Sequence, residues 1–129
     1  MRKVKLGYNG PTVSEICFGS LAISPLQGRV TEEQGKEVLR YAFSRGIDWV
    51  DTAEIYANYR QLRPVLKEYP NTKIVTKSYA VTKTELYRSL EKARLELERD
   101  VIDIFLLHEQ ENHLTLKGHA EAWEALVEC

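Results

Sequence analysis

The feature that most constrains the fold is an alternation of strand and helix patterns that repeats four times along the chain. Such alternation predicts right-handed crossovers and a parallel sheet covered by helices. The strand segments are residues 16–18, 47–51, 73–77 and 101–107. The last of these is apolar except for Asp103, which predicts a strand buried on both faces.

Two of the helices begin at recognisable capping boxes. Thr31 with Gln34 begins a helix that ends at Gly46, and Thr82 with Glu85 begins another. A further helix is predicted from about residue 58 to 68, and Pro64 inside it predicts an irregular start or a break. One last helix is predicted around residues 120–127.

The N-terminal residues 1–16 predict a β-hairpin. Alternating segments at 4–6 and 12–16 flank the turn residues Asn9, Gly10 and Pro11. Residues 21–30 contain Pro25 and Gly28 and predict a loop. The chain is therefore interpreted as one incomplete domain, residues 1–129, with a hairpin followed by four βα units at 16–129.

Two parallel architectures compete for these units. A doubly wound nucleotide fold would have a glycine-rich phosphate turn after its first strand, whereas this segment reads Phe18-Gly19-Ser20-Leu21. A (β/α)8 barrel fits the repeat but needs ~250 residues. With 129 residues, the prediction is an α/β chain forming half of a TIM barrel.

Ionisable residues close three of the strands: Asp51, Lys77 and His108. Tyr56 follows five residues after Asp51. Alternation along a strand places bulky apolar residues on the same face as each of these groups. Those residues are Ile47, Trp49, Val75, Ile102, Ile104 and Leu106. This is the arrangement of a barrel interior with chemical groups at its carboxyl-terminal rim.

These segments together resemble the aldo-keto reductases. The resemblance rests on four features: Asp51-Thr52-Ala53 followed by Tyr56, Lys77 at a strand end, the segment 102–108, and the opening segment 13–20. It implies a catalytic tetrad of Asp51, Tyr56, Lys77 and His108. It also implies NADPH as cofactor, a small aldehyde or ketone as substrate, and contacts near the nicotinamide and its ribose from Gly19, Ser20 and Asp51.

The chemistry that the resemblance implies is coherent. Carbonyl reduction adds a hydride to carbon and a proton to oxygen, and an ordinary tyrosine with a pKa near 10 is a poor acid at neutral pH. A neighbouring ammonium favours the phenolate. Lys77 would act so on Tyr56, Asp51 would hold Lys77, and His108 would orient the carbonyl. The hydride chemistry belongs to the cofactor.

The chain also departs from the family pattern. Ala57 and Glu98 stand where the family usually has glycine, and a side chain in a left-handed cap costs roughly 1 kcal/mol, so the stop at Glu98 is expected to be remodelled. Residues 58–64 look like the corresponding segment of a bacterial subgroup with a C-terminal iron–sulfur extension.

Four strands of a barrel leave open sheet edges. A truncated or split reductase is therefore expected, one that self-associates or pairs with a second half and alone binds NADPH weakly or not at all.

Two other hypotheses stay open: a non-catalytic relic or interaction module, and a metal-dependent barrel hydrolase. His108, His113 and His119 have the wrong spacing for His-Glu-x-x-His, which favours solvated loop residues and no metal site. Cys17 lies in an apolar run, which indicates a core residue rather than a reactive thiol.

Composition excludes several other classes. Eighteen basic and 19 acidic residues give a net charge of −1, which predicts no nucleic-acid or anionic-membrane partner. No apolar window approaches ~18 residues, and the N-terminus lacks a secretory signal pattern. Two distant cysteines, Cys17 and Cys129, cannot form a disulfide framework, so a cytoplasmic location is expected.

Overall fold

The computed structural model describes residues 1–129 and consists of two small sheets and five helices. The strands are β1 Lys3–Lys5, β2 Thr12–Ser14, β3 Phe18–Gly19, β4 Trp49–Asp51, β5 Lys73–Ser78 and β6 Ile104–Leu107. The helices are α1 Glu32–Ser44, α2 Tyr59–Glu68, α3 Lys83–Leu97, α4 His113–Gly118 and α5 Ala120–Glu128. No helix is long and apolar enough to cross a membrane.

The main sheet has four parallel strands in the order β3-β4-β5-β6. Strand order follows chain order, so each helix between two strands makes a crossover to the next position in the sheet. This confirms the predicted parallel α/β fold and the half-barrel. The predicted hairpin is also present, with Val4 opposite Val13 in the antiparallel pair β1 and β2.

Asp48 fastens the hairpin to the parallel sheet. Its carboxylate accepts hydrogen bonds from the Ser14 backbone N–H, at 2.6 Å, and from the Lys3 ammonium. Burial alone would raise the pKa of Asp48, but these hydrogen bonds outweigh it and lower that pKa. The N-terminal hairpin is therefore tied to the residue that precedes β4.

The core lies between the sheet and helices α1 to α3. Both capping boxes form as predicted, on Thr31 and Thr82. Eleven buried residues make up the main cluster: Ile23, Leu39, Phe43, Val50, Tyr59, Leu62, Val65, Leu66, Ile74, Ala93 and Leu97. Val50 and Ile74 come from the outer face of the sheet, so their neighbours Asp51 and Val75 point to the inner face.

The predicted break at Pro64 is wrong, because α2 is continuous from Tyr59 to Glu68. The hydrogen bond that proline cannot donate would have gone to Arg60, in the first turn. Leu62, Val65 and Leu66 of α2 are fully buried in the core, and this packing holds the helix through the gap. Irregular backbone does occur just before it, where a 3-10 turn spans Glu54–Tyr56.

The prediction that the last strand is buried on both faces is also wrong. β6 begins only at Ile104, Val101 is 70% exposed and Leu106 is 43% exposed. β6 is an edge strand, and Leu106 faces the uncovered inner side of the sheet. Ile47 and Ile102 lie before their strands and pack against the helical core, so they do not join the predicted inner-face sets.

The last helix predicted around residues 120–127 is confirmed as α5. A further helix that was not predicted, α4, precedes it, and the two meet at His119. The His119 Nδ1 lies 2.7 Å from the Ala80 carbonyl oxygen and fixes this junction to the loop after β5. Ala122 and Ala125 are the buried residues of α5, whereas Trp123 is half exposed. Trp123 borders a groove between α3 and α5.

Two left-handed residues replace the glycines of the family pattern. Ala57 has φ 53°, and Glu98, which ends α3, has φ 52°. The helix stop at Glu98 is therefore not remodelled, contrary to expectation. Its carboxylate instead contacts Arg63 at 2.9 Å and Lys67 at 2.5 Å, and exposed pairs of this kind contribute little to stability.

This strain can be measured with two variants of one position. Glu98→Ala and Glu98→Gly both remove the ion pairs, but only glycine relieves the left-handed backbone. We expect Glu98→Gly to be more stable than Glu98→Ala by roughly 1 kcal/mol in urea unfolding. Equal stability of the two variants would show that Glu98 is not strained.

Candidate active site

The candidate site lies at the carboxyl-terminal edge of the parallel sheet. Asp51 is the last residue of β4, Lys77 is next to last in β5, and His108 follows β6 directly. In the parallel register Asp51 is opposite Val75, and Lys77 is opposite Leu106. Lys77 therefore stands two residues above the level of Asp51 on the same face, and its long side chain reaches back to the carboxylate.

The Lys77 ammonium is held by two oxygens. It donates to Asp51 Oδ1 at 2.7 Å and to the Thr52 carbonyl at 2.9 Å. The Lys77 side chain is only 13% exposed, while that of Asp51 is 37% exposed. A cation with so little water around it needs such partners, and charge-assisted hydrogen bonds supply them.

Tyr56 brings a phenol to the same ammonium. It ends the 3-10 turn after β4 and is buried. The Lys77 Nζ lies 5.3 Å from the centroid of the Tyr56 ring. The left-handed Ala57 follows at once and turns the chain into α2, in a conformation that its Cβ atom makes less favourable than it would be for glycine.

His108 completes the group. Its ring meets the Tyr56 ring edge-on, with centroids 6.0 Å apart. Burial, together with the positive charge of Lys77, lowers the pKa of His108, while the carboxylates of Glu109 and Asp51 act in the opposite direction. The structure thus brings all four predicted residues together, and the neutral imidazole is favoured near pH 7. Their catalytic role stays a prediction.

Gly19 and Ser20 lie beside Asp51 on the β3 side. Gly19 is opposite Asp51 in the sheet, and a Cβ atom at Gly19 would meet no atom within 4 Å, so this position is open. The Ser20 hydroxyl is fully buried and has no hydrogen-bond partner. An open backbone next to an unpaired hydroxyl fits a polar ligand at this place.

A buried hydrogen-bond chain that the sequence reasoning missed joins the two sides of the site. Thr52 Oγ1 donates to Asn58 Oδ1 at 2.8 Å, and Asn58 Nδ2 donates to the Ser20 carbonyl at 3.1 Å. Thr52 also accepts from Lys77 through its own carbonyl. Thr52 and Asn58 lie on either side of Tyr56 in the sequence. Their short polar side chains were the feature of the sequence that could have indicated a buried hydrogen-bond chain here.

Cys17 lies on the inner face near Asp51. Burial, followed by the negative charge of Asp51, raises the pKa of the Cys17 thiol to about 12. The thiolate, not the thiol, is the nucleophile, so Cys17 is kept in its unreactive form. Elsewhere, three or more His, Cys, Asp or Glu side chains never converge in the geometry of a metal site.

Comparison with known proteins defines the family. The model of the aldo/keto reductase family matches residues 15–129. The chain is 39% identical over 82 residues to "Probable aldo-keto reductase 1" of Glycine max. This chain therefore belongs to the aldo/keto reductase family.

Solved structures agree on the fold. One named "Putative aldo-keto reductase from Pseudomona aeruginosa" superposes with a TM-score of 0.84 over 98% of this chain at 24% identity. The D53A mutant of Gox0644, solved in complex with NADPH, superposes with a TM-score of 0.77 over 98% of this chain, also at 24% identity.

The relatives are longer than this chain. It spans 53% of the Pseudomonas structure and 44% of the Gox0644 structure, and the match to the Glycine max protein covers 22% of that protein. The four strands therefore correspond to about half of the barrel in the solved structures.

The lowered pKa of His108 predicts a pH-dependent stability. In the unfolded chain the imidazole has its ordinary pKa near 6.5, so at lower pH the unfolded state takes up a proton more readily. The free energy of unfolding should then fall as the pH drops below about 6.5 toward the folded-state pKa of His108. Urea unfolding between pH 7 and pH 5 measures this slope.

The variant His108→Gln should show a smaller fall over that range. The matched control is His113→Gln, because His113 is exposed at the start of α4. The same slope in His108→Gln and in the unmodified chain would contradict the burial of a neutral imidazole.

Proposed function

We propose that this chain carries the proton-transfer half of an NADPH-dependent reduction of a small aldehyde or ketone. The observation that carries the proposal is the Lys77 ammonium, held 2.7 Å from Asp51 and 5.3 Å from the Tyr56 ring centroid. Membership of the aldo/keto reductase family supports it.

Tyr56 is the proposed acid. When hydride reaches the carbonyl carbon, the oxygen must take up a proton, and the Tyr56 hydroxyl gives it. The phenolate left behind is stabilised by the neighbouring ammonium. Asp51 positions that ammonium, and the Thr52 carbonyl fixes its direction.

His108 is the proposed orienting group. Its imidazole lies against the Tyr56 ring and is favoured in the neutral form. A neutral imidazole carries one N–H, which can donate to the carbonyl oxygen without adding a charge that would compete with Lys77. A donor beside the acid holds the oxygen where the proton arrives.

The cofactor proposed for the reaction is NADPH, which supplies the hydride when bound. Three groups of this chain would hold its nicotinamide end. They are the open backbone at Gly19, the unpaired Ser20 hydroxyl and the partly exposed Asp51 carboxylate. The NADPH complex of the Gox0644 mutant, a structural neighbour, supports this cofactor.

Self-association belongs to the same proposal. β3 and β6 are edge strands with unpaired backbone groups, and Leu106 is exposed on the inner face. Such edges bind further strands. We therefore expect NADPH binding in a species heavier than the 14.9 kDa monomer, as measured by light scattering alongside the titration.

The test is NADPH titration followed by fluorescence of Trp49 and Trp123, and then a screen of aldehydes and ketones. We expect saturable binding and NADPH oxidation that depends on the carbonyl. Lys77→Met should lower the rate by about 10²-fold or more, in the range of a lost acid–base function. It should leave NADPH affinity nearly unchanged.

Lys73→Met is the matched control. Lys73 lies on the same strand as Lys77 but at its opposite end, where it contacts Asp103 at 2.8 Å. The rate of NADPH oxidation by Lys73→Met should stay within about threefold of that of the unmodified chain. NADPH binding without any turnover would favour a non-catalytic reductase-fold module, and equal rates in both variants would disprove the role of Lys77.

A further inference from the structure

Tyr79 is an aromatic residue that the tetrad does not explain. It follows β5 two residues after Lys77, and its ring stacks on His108 with centroids 4.5 Å apart and planes 22° from parallel. The Tyr56 ring contacts the same imidazole edge-on. His108 is therefore enclosed between two tyrosines, one on its face and one beside it.

The Tyr79 hydroxyl is influenced by a nearby carboxylate. Glu109, acting as a hydrogen-bond acceptor, raises the pKa of Tyr79 to about 12, and partial burial adds to this effect. Glu109 follows His108 directly and has φ 53°, in the left-handed region that side chains rarely adopt. The left-handed backbone at Glu109 therefore occurs in the residue whose carboxylate acts on the Tyr79 hydroxyl. Glu109 belongs to the loop after β6, and Tyr79 to the loop after β5.

The imidazole lacks the usual means of orientation. A functional histidine is normally fixed by a hydrogen bond to its second ring nitrogen. In this chain the His108 Nδ1 is buried and has no hydrogen-bond partner. Gln110 donates to the His108 carbonyl at 3.0 Å, which holds the backbone but not the ring. The two tyrosine rings are then the contacts that can limit rotation of the imidazole.

We propose that Tyr79 is a positioning residue whose ring fixes the plane of the His108 imidazole in place of the missing hydrogen bond. This inference rests on the proposed function for its importance in catalysis. The groups facing His108 are then Tyr79 and Lys77 from β5 and its loop, Asp51 and Tyr56 from β4 and its loop, and the adjacent Glu109.

The first test uses NMR of the isotope-labelled chain without cofactor. The chain has only three histidines, so His108→Gln assigns the His108 ring signals by their loss. In Tyr79→Leu the ring-current shift of those signals should fall to the contribution of the Tyr56 ring, and the pKa of His108 should rise toward its ordinary value because water reaches the imidazole. Tyr79→Phe keeps the ring and should retain both the shift and the lowered pKa.

The outcomes distinguish an effect of the Tyr79 ring from a general loss of folding and from an effect of the Tyr79 hydroxyl. Amide spectra establish that each variant is folded, and Tyr79 is 42% exposed, so its replacement is tolerated. Unchanged His108 signals in Tyr79→Leu would overturn the proposal. So would a Tyr79→Phe variant that behaves like Tyr79→Leu, because the hydroxyl rather than the ring would then hold the imidazole.

The second test measures turnover with a carbonyl substrate found in the screen. Tyr79→Leu should lower kcat by about tenfold or more with KM little changed, since misplacement of an orienting group acts on the reacting geometry. Tyr79→Phe should stay within about threefold. If the unmodified chain reduces no carbonyl, the proposed function fails, while the NMR result still decides whether Tyr79 positions His108.

Discussion

The parallel register between β4 and β5 is the constraint on which the site depends. It places Asp51 opposite Val75, so Lys77 lies one inward-facing position higher and its ammonium returns to the carboxylate at 2.7 Å. A shift of one residue would turn Lys77 into the helical core, where Thr76 now bonds the buried Tyr59 hydroxyl at 2.6 Å. The apolar residues of the outer face therefore fix the position of the charged residues on the inner face.

The sequence was sufficient to predict the main features of the fold and the clustering of the four residues. Strand and helix alternation is a long-range pattern that packing cannot easily override, and the capping boxes at Thr31 and Thr82 define their helices locally. Asp51, Lys77 and His108 could be grouped because the carboxyl ends of parallel strands meet at one edge.

The errors arose where tertiary packing overrides local pattern. Pro64 is tolerated because buried neighbours hold α2 together, and no local rule contains that information. The apolar run of β6 resembles a central strand, yet its position at the sheet edge leaves Leu106 exposed. The contacts of Thr52, Asn58 and Tyr79 depend on loops from different units, so spacing along the chain could not predict them.

The hydrogen-bond chain through Thr52 and Asn58 has a consequence for how this site can vary. Thr52 serves Lys77 with its carbonyl and Asn58 with its hydroxyl, and Asn58 in turn holds the Ser20 backbone. Because Thr52, Asn58 and Ser20 are fully buried, a substitution that leaves one of their polar atoms without a hydrogen bond destabilises the fold. Serine is then the natural alternative at position 52. Any rearrangement of the 3-10 turn Ser20–Ile23 is transmitted through the same atoms to the Lys77 ammonium next to Tyr56.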